Sequence, residues 1–161
     1  MSRKSRMSPF PFLLVLACCG SCARQGDTGE DPDVTAKGSF EITGQLVEIR
    51  GQFPNLPNYN CAFVMQYKVI EVQRGKIDAE TIYVAHYNPH KTRAAAADGR
   101  AEGIGGNLEQ FAAGELHRMA LEVPIDDYYM GGIVDRYFDA KKALPSTVPI
   151  YWAVWTNRVV K

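Results

Sequence analysis

The stretch 62–75, AFVMQYKVIEVQRG, decides the fold class. Phe63, Met65, Tyr67 and Val69 recur at every second position, and Ile70 and Val72 then take the other phase. Side chains of a strand alternate between its two faces, so a period of two marks a strand. A one-residue change of phase marks a bulge that bends it. A long bent strand over about 62–73 is expected, ended by a turn at Arg74-Gly75.

The same period recurs on either side. Phe40, Ile42 and Leu46 alternate with Glu41, Thr43 and Gln45, while Val47 and Ile49 take the other phase, so a bulge is expected near 44–46. A third strand spans 81–87, with Ile82 and Val84 on one face and Tyr83, Ala85 and Tyr87 on the other. His117, Met119, Leu121 and Val123 oppose Arg118, Ala120 and Glu122 in a fourth. In a fifth, Ile150, Trp152 and Val154 oppose Tyr151 and Trp155. Helix is minor. Residues 107–114, NLEQFAAG, carry a capping Asn, a Gln and a terminal Gly, which predicts a short helix. Residues 94–97 could form one more turn, and 133–138 another short helix. The expectation is a mainly β chain, a five-stranded barrel with one or two short helices.

This order of elements resembles the OB-fold. More narrowly, Tyr67–Gly75, Ile82-Tyr83-Val84 and Phe111–Leu116 resemble the netrin-like group, to which the inhibitory domain of tissue inhibitors of metalloproteinases belongs. Those inhibitors place a free N-terminal Cys on the protease zinc and carry several disulfides. Four cysteines, three of them within 18–22, do not supply that framework. Protease inhibition is therefore not implied.

The N-terminal stretch has a separate logic. Arg3, Lys4 and Arg6 precede an apolar run over 9–17, about half the ~20 residues that a membrane-spanning helix needs. This is the layout of a secretory signal. Cys18, Cys19 and Cys22 follow, and the segment resembles the lipobox of bacterial lipoproteins. Val15-Leu16-Ala17-Cys18 fits best, with Cys19 and Cys22 as alternatives. The thiol would become a thioether to diacylglycerol, and acyl chains would hold the protein on the membrane. A plain signal peptide cut after Ala23 and a buried N-terminal helix are the other readings. The expected division is a signal over 1–17, a lipidated Cys region and flexible acidic tether over 18–38, and one barrel domain over 39–161.

Charge follows this division. The whole chain has 18 bases and 18 acids, and loss of Arg3, Lys4 and Arg6 leaves 15 against 18. A nucleic-acid partner relying on bulk positive charge is therefore excluded. If Cys19 is lipidated, Cys22 and Cys61 could pair in an oxidising compartment. The simpler reading of Cys61 is a buried, inert thiol.

Candidate chemistry is sparse. His86 and His90 bracket Tyr87-Asn88-Pro89 and could hold zinc with Asp98 or His117 as third ligand. The proline prevents the helical H-E-x-x-H arrangement, and no metal or other cofactor is assigned. Residues 103–107, GIGGN, follow a polar loop rather than a strand, which argues against a dinucleotide site. The long connection over 88–106 is the best place to look for binding. Asp126-Asp127 suit a helix start more than a catalytic carboxylate pair. Tyr151 and Trp155, on one face, are a candidate stacking platform. The G-x-S-x-G motif does not occur. The expected function is a membrane-anchored extracytoplasmic lipoprotein, a binding or accessory module for an envelope protein or a glycan. The alternatives are a small enzyme or metal-dependent accessory using His86, His90 and Asp98, and a passive spacer.

Overall fold

The computed structural model describes residues 31–54, 59–137 and 148–159. Its elements are α1 (Pro32–Ala36), β1 (Phe40–Glu48), β2 (Ala62–Arg74), β3 (Thr81–Tyr87), β4 (Leu116–Glu122), β5 (Ile133–Val134) and β6 (Ile150–Arg158). β1 pairs with both β2 and β4, β4 pairs with β6, β6 with β3, and β3 with β2, so five strands close a barrel. Only the β3–β6 contact in that ring is parallel. The mainly β five-stranded barrel expected from the alternation is the fold found. Among the described residues the helix content is one short helix and two 3-10 turns, at Arg93–Ala95 and Ile125–Asp127.

β2 bends where its phase changes. Gly44 pairs with Val69 and Thr43 with Glu71, so Ile70 is the extra residue and lies half-exposed. β1 has its own irregularity, since Leu46 pairs with Tyr67 and Glu48 with Gln66, which leaves Val47 as an extra residue directly after the 44–46 where the change of phase is expected. β1 keeps its alternation through Ile42, Gly44 and Leu46, and Val47 points out. Gly44 faces the interior because Tyr67 fills the space beside it. A Cβ there would sit 3.2 Å from the Tyr67 ring and from Met119 Cε.

Apolar side chains form two layers. Ile42, Leu46, Phe63, Met65, Tyr67, Val84, Met119 and Leu121 fill the barrel. Outside it, Ala62, Val64, Ala85, Tyr87 and Trp152 are covered by Ala96, Ala101, Ile104, Ile125 and Tyr129 from the two long connections. Tyr129 stacks on Trp152 at 4.9 Å with an interplanar angle of 6°. This second layer explains why both faces of early β2 are apolar.

Three local expectations are corrected. Residues 107–114 form no helix, because their backbone is claimed by neighbours. Asn107 N–H donates to Asn157 Oδ1, Arg93 N–H to the Leu108 carbonyl, and Gly114 N–H to the Leu46 carbonyl. Leu108 and Phe111 join the barrel interior. Ile133-Val134 is β5, paired with Ala62-Phe63 of β2, rather than a helix. Asp126-Asp127 end a single 3-10 turn.

The packed chain also starts earlier than residue 39. Asp31 caps α1, and Val34 is fully buried. Asp31 Oδ2 accepts from Trp155 Nε1 at 2.9 Å and Asn157 Nδ2 at 3.3 Å. The Arg74 guanidinium donates to the carbonyls of Val34, Thr35 and Lys37 and pairs with buried Glu41. Residues 31–38, read in the sequence as part of the tether, are thus clamped to the barrel. An Arg74→Ala variant is expected to speed amide exchange across 34–37 by about tenfold, leaving β3 and β6 protected. Glu41 stays paired with Arg118, so the barrel itself is spared. Unchanged exchange in that segment would contradict the clamp. Cys18, Cys19 and Cys22 lie outside the described residues. No helix among the described residues is long and apolar enough to cross a membrane.

Candidate functional site

The candidate ligands His86, His90 and Asp98 are not brought together. His86 shares the phase of Ile82 and Val84, so it points into the barrel and is fully buried. His90 is exposed on the following turn, where partial burial and the charges of Lys91 and Arg93 lower its pKa. Asp98 faces Tyr87, which is on the outer surface of β3. Its carboxylate accepts from the Tyr87 hydroxyl at 2.8 and 3.0 Å, from Asn60 Nδ2, and from Arg100 N–H at 2.8 Å. Asp98 thereby ties the β1–β2 connection to the β3–β4 connection. Among the described residues no three His, Cys, Asp or Glu side chains are grouped to hold a metal ion.

Tyr151 and Trp155 also part company. Leu121 pairs with Ala153 and Ala120 with Trp155, leaving Val154 as an extra residue in β6. That bulge puts Tyr151 inside, only 8% exposed and edge-on to Phe40. It puts Trp155 outside, beneath the Lys37 ammonium and bonded to Asp31. They share no face and form no common platform. Cys61 is buried, and desolvation raises its thiol pKa, which suits an inert residue.

His86 instead meets His117 across Tyr67. The Tyr67 hydroxyl lies 3.1 Å from His86 Nε2 and 3.0 Å from His117 Nδ1. It has one proton, so it donates to one ring and accepts from the other. The outer nitrogens select the arrangement. His117 Nε2 faces the Glu115 carboxylate at 3.7 Å, and a lone pair there would be repelled. The consistent assignment has Nε2–H of His117 directed at Glu115, Tyr67 donating to His117 Nδ1, His86 Nε2–H donating to Tyr67, and Thr156 Oγ1 facing His86 Nδ1 at 3.5 Å. Burial, then the charges of Arg93 and His117, holds His86 well below the usual imidazole pKa. Burial, then the Arg158 charge, lowers His117 to about 4. Both rings are neutral at pH 7. The row is a fully buried, mostly satisfied polar core.

Below this row sits Arg93, 3% exposed. Its Nη1 donates to the Tyr87 carbonyl at 2.8 Å, and Nη2 donates to those of Asn88 at 2.7 Å and Lys91 at 3.2 Å. Its guanidinium also lies over the Phe111 ring. Burial lowers its pKa to about 10, so it remains charged at pH 7. No carboxylate pairs with it among the described residues. It is a cation solvated by the carbonyls of its own loop.

The open chemistry lies at the rim formed by the long connections. A cavity of about 350 Å³ is lined by Arg100, Tyr129, Met130 and Gly131. Met130 is 97% exposed, and Tyr59 and Tyr128 are each about half-exposed. The Tyr59 hydroxyl approaches Gly132, which bonds through its carbonyl to Ala62 N–H. Arg100 lies within the 88–106 connection expected to bind, whereas Tyr59 and Met130 have no sequence signal, because scattered surface residues carry no period. Comparison with protein-family models, with curated proteins and with solved structures gives no match.

Proposed function

We propose that this chain is a lipid-anchored extracytoplasmic lipoprotein whose barrel is a binding module, docking another envelope protein at the rim of Tyr59, Arg100, Tyr128, Tyr129 and Met130. The observation that carries the reading is Met130, almost fully exposed beside a cavity walled by Arg100 and Tyr129. A large apolar side chain held in water next to aromatic and Arg groups has the composition of an interface anchor. Its place supports the reading too. The rim is built by the connection leading into β2, the one between β3 and β4 that carries Arg100, and the one out of β4, and the first and last of these are loops through which OB-like barrels take their ligands. The anchor rests on the leader, with its basic start, short apolar run and cysteines at 18, 19 and 22.

A glycan is the second reading, favoured by the exposed rings of Tyr59 and Tyr128. The metal-dependent alternative draws no support from a His86 that is sealed in the barrel and a His90 that is outside it.

A photo-crosslinking residue placed at Met130 in the membrane-borne protein is expected to give one discrete protein adduct. The same residue at Lys76, on the exposed turn after β2, is expected to give none. Equal labelling from both positions, or none from Met130, would sink the docking rim. Separately, Ser at Cys18, Cys19 or Cys22 should abolish lipid labelling at one of the three. Labelling that survives all three replacements removes the anchor.

A further inference from the structure

Resting on that docking reading, we infer that the rim cavity takes a carboxylate of an acidic peptide segment, with an apolar neighbour of that carboxylate lying against Met130. The argument is one of charge left over. Two charged residues meet at this place, Asp98 and Arg100, and their roles differ. The Asp98 carboxylate is turned inward and its oxygens are filled by the Tyr87 hydroxyl, Asn60 and the Arg100 backbone N–H. The Arg100 guanidinium makes no ion pair or hydrogen bond with the described residues, and it lines the cavity. The backbone of Arg100 is thus fixed by Asp98 while its charge faces the opening.

The cavity wall beside that charge is apolar. Tyr129 is buried with its ring flat on Trp152. Gly131 packs so closely on the Tyr129 hydroxyl that no Cβ fits there. Met130, beside it, projects into solvent. A planar guanidinium prefers a carboxylate in two-point contact, and a flexible thioether adapts to an aliphatic side chain. Together they fit a carboxylate next to a Leu-like residue. A sugar acid would satisfy Arg100 and leave Met130 in water, so the acidic peptide is preferred.

The test uses the full chain in detergent micelles and three fluorescent probes: an acetylated peptide alternating Leu and Asp, the same peptide with Asn for Asp, and a uronic-acid oligosaccharide. Anisotropy should show the Leu/Asp peptide binding tightest, at least tenfold weaker to Arg100→Gln, and weaker in 0.3 M salt. The Asn peptide should bind both proteins alike. Arg100 is exposed, so the variant should melt with the wild type, which a thermal scan checks. Equal affinity of wild type and Arg100→Gln for the Leu/Asp peptide overturns the inference, as does tighter binding of the oligosaccharide. If the crosslinked adduct at position 130 forms equally in Arg100→Gln, the docking rim stands and the acidic ligand falls. If that adduct never forms, both fall.

Discussion

Stability is expected to fall steeply as pH drops from 6.5 towards 4, a range in which exposed histidines have little leverage. The cause is the pair of neutral imidazoles inside the barrel. In the unfolded chain each titrates near 6.5. In the folded chain burial keeps His86 well below that value and lowers His117 to about 4. Between those limits the unfolded state binds more protons than the native state, so the unfolding free energy rises with pH and is lost as pH falls. The stabilisation is fully present above 6.5. His117 alone accounts for about 3 kcal/mol over the window, and His86 adds to it with the same sign. Asp31 and Asp98, whose pKa values are lowered, act further down, below the ordinary carboxylate range. Burial raises Asp135, and its contribution has the opposite sign. Urea midpoints at pH 7.5 and 4.5 measure the loss. A His117→Gln variant, which can still accept from Tyr67, should lose roughly one proton from the slope. A wild-type midpoint that stays level across the window would refute the neutral pair.

Arg93→Met should destabilise the fold by about 4 kcal/mol. Replacing a buried ion pair by apolar groups is often neutral, because both charges leave together. Arg93 differs, because its partners are carbonyls that stay behind. Those of Tyr87, Asn88 and Lys91 would lose their guanidinium donors. Phe111 would also lose the flat cation above its ring, and with it the plug beneath His86 and His117. Lys at the same position keeps the charge without the fork, so Arg93→Lys should recover only part of the loss. Chemical denaturation ranks the three proteins, and proteolysis within 88–106 should rise in the same order. An Arg93→Met protein within 1 kcal/mol of wild type would show that the loop carries itself.

The barrel was legible because strand signals are local. The period-two runs gave β3 at its observed limits and the bend of β2 at Ile70. The inward phase of the two histidines was readable in the same way. His86 follows Ile82 and Val84, and His117 precedes Met119 and Leu121. Their meeting was not readable. It depends on β1 closing the ring between β2 and β4, which sets Tyr67 between rings 19 and 50 positions away. Pairing His86 with His90 followed distance along the chain, but β3 ends at Tyr87, and the turn beyond it leaves His90 in solvent while His86 stays inside the barrel. The 107–114 segment has true helix-capping residues, but packing of Leu108 and Phe111 into the barrel outweighs a weak local preference. Trp155 was misplaced by one bulge, since a single extra residue swaps every face beyond it.

The clamp on α1 also decides how the barrel carries load. A pull along the chain that enters at Asp31 meets two fastenings before it reaches β1. Asp31 passes force to Trp155 and Asn157 on β6, and the Val34, Thr35 and Lys37 carbonyls pass it to Arg74 at the end of β2. These strands are not neighbours in the ring, since β3 lies between them. Tension is thus shared across the wall, and β1 is not peeled from β4 one hydrogen bond at a time. Resistance to force is governed by the unfolding rate. The short segment before the barrel therefore serves as its strain relief.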